Sequence, residues 1–234
     1  TASKKGTPLL LNRANLQHLT PVSRLAGRFS SIACATFCLL IIFLSSCTQP
    51  RAAEPPAPRV VDFVPGVRID YRVPQVEVDA ELILRQGQLE LFAYSKAPVP
   101  KEHETILLLD VPAEAIYQAL GLIGLTPGRP PRYDVDTNTL HAATGDPVDV
   151  LVRYESKGLA VEVSACDWML DLHERRPMKR TPWVFAGSRR TPDGAFAANV
   201  EGTVITVVDF DSSVLALPAS HSSSDSELWL AANP

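Results

Sequence analysis

In Val76-Glu77-Val78-Asp79-Ala80-Glu81-Leu82-Ile83-Leu84, apolar side chains at 76, 78, 80, 82 and 84 alternate with acids at 77, 79 and 81, a period of two. An extended chain sends successive side chains to opposite faces. Val76, Val78, Ala80 and Leu82 therefore face a core and the acids face water, the pattern of a half-buried strand. Arg85-Gln86-Gly87-Gln88 supplies turn chemistry, and Leu89, Leu91 and Ala93 then alternate with Glu90, Phe92 and Tyr94. The two runs together predict a β-hairpin.

Working outward, the same period returns downstream. Val148, Val150, Val152 and Tyr154 lead through Ser156-Lys157-Gly158 to Leu159, Val161 and Val163, a second predicted hairpin. Trp183-Val184-Phe185 and Phe196-Ala197-Ala198 flank Thr191-Pro192-Asp193-Gly194, whose proline and glycine suit a four-residue turn, and predict a third. Residues 203–208 add a β-branched strand and Leu228-Trp229-Leu230 a short last one. Between the first two hairpins, residues 105–109 read as a strand, and Asp110-Val111-Pro112 opens a helix, where an early proline forfeits no hydrogen bond. Ile116, Leu120 and Ile123 recur at i, i+4 and i+7, and Gly124 ends the run. Residues 127–145, rich in Pro, Gly, Asp and Thr, read as a long connection. The prediction is an α+β fold over residues 67–234: a strand-rich single domain of antiparallel hairpins with one crossing amphipathic helix.

Toward the N-terminus the character changes. Residues 32–44 carry no charge and follow a leader whose charged residues are Lys4, Lys5, Arg13, Arg24 and Arg28, the basic-then-apolar order of an export signal. A membrane-spanning helix needs about 20 apolar residues, more than this run offers. Leu44-Ser45-Ser46-Cys47 resembles the bacterial lipobox, which makes Cys47 the lipidated first residue of the mature chain; a plain secretory signal cut at small residues nearby and an uncleaved N-terminal membrane helix are the alternatives, and all three place the domain outside the cytoplasm. The expected layout is a lipoprotein-type signal peptide over residues 1–46, then a lipidated cysteine and proline-rich tether over 47–66, where Pro50, Pro55, Pro56 and Pro58 favour an extended spacer. The expected location is the cell envelope, anchored on the extracytoplasmic side at the periplasm or outer membrane.

Removing the leader leaves 188 of 234 residues, enough for one domain. It also takes away five of the 22 basic residues and none of the 26 acidic ones, so net charge moves from −4 to −9. That balance argues against nucleic acid as a partner. The expected partners are the membrane, through the lipid, and a protein or small molecule that the sequence does not specify. Cys34 and Cys38 fall in the signal and Cys47 at the lipid site, so Cys166 is the one cysteine of the domain. A single cysteine builds neither an internal disulfide nor an iron–sulfur cluster. Its place at the end of an alternating apolar run marks a small core residue.

Lys101-Glu102-His103-Glu104 is the densest polar cluster of the domain. On an extended backbone Glu102 and Glu104 would share a face about 7 Å apart, a geometry able to present two carboxylates to a cation. Composition alone favours a solvated strand start. Asp134, Asp136 and Asn138 copy the opening of a calcium loop, but Thr139 stands where glycine is required and Gly145 where the bidentate glutamate should be. Gly187-Ser188 lacks the second glycine of a nucleophile elbow. The histidines show no metal-ligand spacing. No cofactor, metal site or catalytic residue is predicted.

Taken together, Gln88-Leu89-Glu90-Leu91-Phe92-Ala93, Lys101-Glu102-His103-Glu104, Gly121-Leu122-Ile123-Gly124, Trp183-Val184-Phe185-Ala186-Gly187-Ser188 and Glu201-Gly202-Thr203-Val204-Ile205 resemble the YdjY-domain family, over residues 67–234. The resemblance carries no established catalytic residue with it. It draws attention to Lys101, Glu102, His103 and Glu104, and to Trp183 and Ser188, as candidate binding residues. The functional expectation is an envelope lipoprotein serving as a non-catalytic binding or interaction module. The alternative is a metal-dependent module or enzyme using Glu102, His103 and Glu104.

Overall fold

The computed structural model describes residues 7–14, 60–98, 100–171, 175–222 and 229–231, which fall in one unit formed by residues 1–14 and 59–234. The chain opens with strands β1 (Thr7–Arg13), β2 (Val61–Val64), β3 (Val67–Asp70), β4 (Gln75–Leu82), β5 (Gly87–Leu89), β6 (Leu91–Ser95) and β7 (Thr105–Leu109). Helix α1 (Ala113–Leu122) follows, then the short strands β8 (Pro127–Arg129), β9 (Arg132–Asp134), β10 (Thr139–His141) and β11 (Thr144–Gly145). The long β12 (Pro147–Ser156) and β13 (Leu159–Ser164) lead to β14 (Met169–Asp171), β15 (Arg176–Pro177) and β16 (Trp183–Phe185). Helix α2 (Ala197–Glu201) precedes β17 (Thr203–Thr206), β18 (Leu215–Ala216) and β19 (Trp229–Ala231).

The fold is strand-rich with a little helix, and its main sheet closes on itself. Eight strands run β1-β12-β16-β18-β17-β6-β7-β4, and β4 pairs back to β1. Closure of this kind leaves no unpaired edge around the ring. β3 and β2 continue from β4, β13 from β12, and β15-β14-β19-β5 form a separate small sheet. Val76, Val78 and Ala80 on β4, and Val148, Val150 and Val152 on β12, enter one continuous apolar core. Their spacing is the period-two alternation read from the sequence.

The helix forms where its periodicity places it. Pro112 stands at the N-cap with extended backbone, and Ile116, Ala119 and Leu120 are buried in the core. Gly124 adopts φ +85°, and the Leu125 N–H returns to the Leu120 carbonyl at 3.2 Å, which terminates the helix. The second hairpin also forms as expected: β12 and β13 pair from Leu151↔Ser164 to Ser156↔Leu159, around Lys157 and Gly158, both at positive φ.

The first and third hairpins do not form. β6 lies parallel to β7 and antiparallel to β17, while β4 pairs with β3, β7 and β1. The reason is burial: all five residues of β6 are inside, so it sits between two neighbours rather than folding back as a half-exposed return strand. In the third, Ala197–Glu201 turns into helix α2, closed by Gly202 at φ +77°. The domain also starts earlier than expected, since Val61–Val64 forms β2 where the sequence suggests tether.

The largest departure is β1. Thr7–Arg13 belongs to the stretch assigned to the leader, yet it lies between β4 and β12, antiparallel to both. Leu9, Leu10 and Leu11 are fully buried, and Leu9 and Leu11 join the main core. Cys47 and the rest of residues 15–59 lie outside the described residues.

Candidate functional site

Glu102–Glu104 forms a single 3-10 turn directly ahead of β7, so the extended geometry expected for this cluster is not adopted. The turn is closed by the Glu104 N–H on the Lys101 carbonyl, and the Thr105 hydroxyl donates to the same carbonyl at 2.7 Å. A tight turn brings i and i+3 onto one side. It therefore unites Lys101 with Glu104 and leaves Glu102 and His103 exposed.

Lys101 is the centre of what results. Its ammonium donates to Glu104 Oε1 at 2.6 Å and to Glu90 Oε2 at 3.2 Å, and stands 4.8 Å from the centroid of the Phe210 ring. Glu90 occupies the junction of β5 and β6: its N–H donates to the Glu104 carbonyl at 3.1 Å, and its carbonyl accepts from Val207 at 2.9 Å. The exposed His103 Nε2 lies 3.6 Å from the second Glu104 oxygen. One cation thus ties the 3-10 turn to the β5–β6 junction and to the segment after β17.

The electrostatics follow from two acids sharing one base. Burial first, and the neighbouring Glu104 next, hold the Glu90 carboxyl above the usual carboxylate range. Burial works against the Lys101 ammonium, but Glu104 and then Glu90 outweigh it, and the ammonium is held above the usual lysine range. Both acids of the cluster are thereby engaged by Lys101. Among the described residues no group of three or more His, Cys, Asp and Glu side chains is placed to hold a metal.

Trp183 and Ser188 stand elsewhere. Trp183 is buried on β16, packs against Phe92 at 6.2 Å, and donates its indole N–H to the Thr206 carbonyl at 2.9 Å. It is part of the core and lines no groove with the carboxylates. Ser188, at φ +62°, accepts the Ala198 N–H on its hydroxyl at 3.2 Å and so secures the start of α2. Cys166 is buried as expected, with its thiol 3.7 Å from the Thr181 carbonyl and pushed up in pKa by burial.

Glu90 and Phe210 escaped the sequence reading, because alternation alone labels Glu90 an outward-facing strand residue and says nothing of a partner eleven positions away. A cleft of about 400 Å³ at the N-terminus of α1 also went unforeseen; Ser95, Lys96, Asp110, Pro112 and Asn199 line it. Asn199 Oδ1 accepts the Glu114 N–H there at 3.0 Å, and Lys96 pairs with Asp110 at 3.5 Å. Its chemical signal was the helix start itself, which concentrates unpaired N–H groups.

No curated protein and no solved structure matches the chain. Residues 67–228, which run from β3 to just before β19 and include Lys101, Glu90, Glu104 and Phe210, match the YdjY domain, and the chain therefore belongs to the YdjY-domain family.

Proposed function

We propose that the protein is an envelope lipoprotein, held at the membrane by a lipid on Cys47, whose barrel-like domain binds a partner rather than transforming a substrate. The observation that carries the anchoring is the uncharged run 32–44 ending in Leu44-Ser45-Ser46-Cys47, behind a purely basic leader. The Lys101 cluster favours the non-catalytic half of this reading over a metal-dependent one. Its carboxylates neutralise a common cation and fasten three chain segments, which is the work of an organising element. Lipid anchoring of one chain gives marginal membrane attachment and two or more acyl chains give stable attachment, so the mature cysteine would carry more than one.

Cys47→Ala tests the anchoring. The expected result is loss of the processed form from the membrane fraction, with the variant either released or retained as unprocessed precursor. Unchanged processing and attachment would refute it. Thermal melts of wild type and the Glu102→Gln/Glu104→Gln variant, each with calcium, zinc or EDTA, separate the organising role from the metal-dependent one: the variant should melt below the wild type with no effect of metal on either, and coincident curves would refute both. A metal-dependent rise in Tm confined to the wild type would replace the organising role with a metal-dependent one.

A further inference from the structure

The seam between β4 and β12 is one strand wide. β1 fills it, making registered pairs with β4 from Thr7↔Ala80 to Asn12↔Gln75 and with β12 from Leu9↔Val152 to Arg13↔Val148. Leu9 lies between Val78 and Val152, and Leu11 between Val76 and Val150. At the end of the strand, the Arg13 guanidinium donates to Asp146 Oδ2 at 2.7 Å and to the Gly124 carbonyl at 3.3 Å. Without β1, two parallel strand edges about 9–10 Å apart, twice the spacing of paired strands, would face each other with open N–H and C=O groups above four valines.

The strand that fills the seam lies outside the family domain, which spans residues 67–228 and contains both walls. It also lies on the wrong side of the apolar run for an exported chain. Lys4, Lys5, Arg13, Arg24 and Arg28 precede residues 32–44, and the basic end of such a signal stays on the cytoplasmic face while the chain beyond it crosses. Cleavage before Cys47 then parts the leader from the domain. An uncleaved span would likewise leave Thr7–Arg13 and the sheet on opposite sides of the membrane. In the exported protein the chain's own first strand cannot reach the seam.

We propose that the β4–β12 seam of the exported domain is a strand-acceptor site. Its ligand is an extended peptide segment of a partner protein with apolar side chains two residues apart and a basic residue two positions further on, the pattern of Leu9, Leu11 and Arg13. Such a segment adds antiparallel to both edges at once. Main-chain hydrogen bonds supply the affinity, and the valine-lined positions and Asp146 supply the selectivity. This rests on the lipoprotein assignment, because only processing removes the resident strand.

The test uses the processed protein purified from membranes in detergent, with a fluorescent peptide of residues 4–14 as probe. Saturable binding is expected, weakened at least ten-fold when Leu9 and Leu11 of the peptide are both replaced by Asp. The full chain, produced without export and folded in one compartment, keeps its own strand and should capture no peptide. The N-terminus of the membrane form is determined on the same preparation. A form that begins at acylated Cys47 and binds no peptide, or binds the Asp-substituted peptide equally well, overturns the acceptor site and leaves the anchoring standing. A membrane form that still contains Thr7–Arg13 overturns the anchoring and, with it, the acceptor site.

Discussion

Lys101→Met removes the ammonium of the central cluster while keeping most of the aliphatic stem beside Phe210. The side chains of Lys101 and Glu104 are 17% exposed and that of Glu90 is 23% exposed. An exposed ion pair contributes about 0.2–1 kcal/mol, and breaking a fully buried one costs about 3–5 kcal/mol. At this intermediate depth, with two neighbouring carboxylates left without their shared cation, a loss of about 2 kcal/mol is expected at neutral pH. For a domain of this size that lowers Tm by about 4–8 °C. The pH dependence follows from the two shifted groups. Glu90 is held above its ordinary value, so its contribution to stability is present below the unfolded pKa and is lost as pH rises through the folded one. Lys101 is also held high, so its contribution is intact through neutral pH and disappears only as pH climbs past the raised lysine value. The deficit of Lys101→Met should therefore be fullest from neutral to mildly alkaline pH and shrink in acid, as Glu90 takes up its proton. Glu90→Gln should be at least as stable as wild type at neutral pH, and should recover part of the loss when combined with Lys101→Met. Circular-dichroism melts of the four proteins across pH are the assay. A Tm within about 1 °C of wild type at neutral pH, or a deficit that does not change with pH, would refute the assignment of Lys101 as the organising cation.

Trp183→Phe keeps an aromatic ring against Phe92 but leaves the buried Thr206 carbonyl without its donor, and should cost about 1–3 kcal/mol in denaturant unfolding. Gly202→Ala should destabilise well beyond the ~1–2 kcal/mol of a left-handed backbone alone. A Cβ there would overlap the Tyr94 ring and the Ser95 carbonyl oxygen, and poor recovery of folded protein is the expected readout. Cys166 should react slowly with a thiol reagent in the native domain and rapidly after denaturation, since burial both hides the sulfur and raises its pKa. Fast native labelling would contradict the packing of Ala165–Trp168.

Local rules settled what is local. The period-two runs at residues 76–84 and 148–163, the helix with its proline start and glycine stop, and the β12–β13 turn at Lys157-Gly158 all follow from backbone sterics and from which face must avoid water. Lys101 and Glu104 were visible as a cluster, and the family was visible in several short motifs. Which strands pair is another matter, because alternation states that a face is buried and not what buries it. β6 meets β7 in parallel and β17 across more than a hundred residues, and only the packed core could choose those partners over the nearer β4. The same holds for Glu90: its charge was legible, but the cation it shares was brought to it by the 3-10 turn. Thr7–Arg13 shows the limit most plainly. Its Pro-Leu-Leu-Leu run lacks alternation and sits among basic residues ahead of an uncharged apolar run, so composition alone reads it as part of a signal. Its place as a strand was decided by two parallel edges one strand apart, which leave backbone hydrogen bonds and four valines exposed until something extended and apolar lies between them.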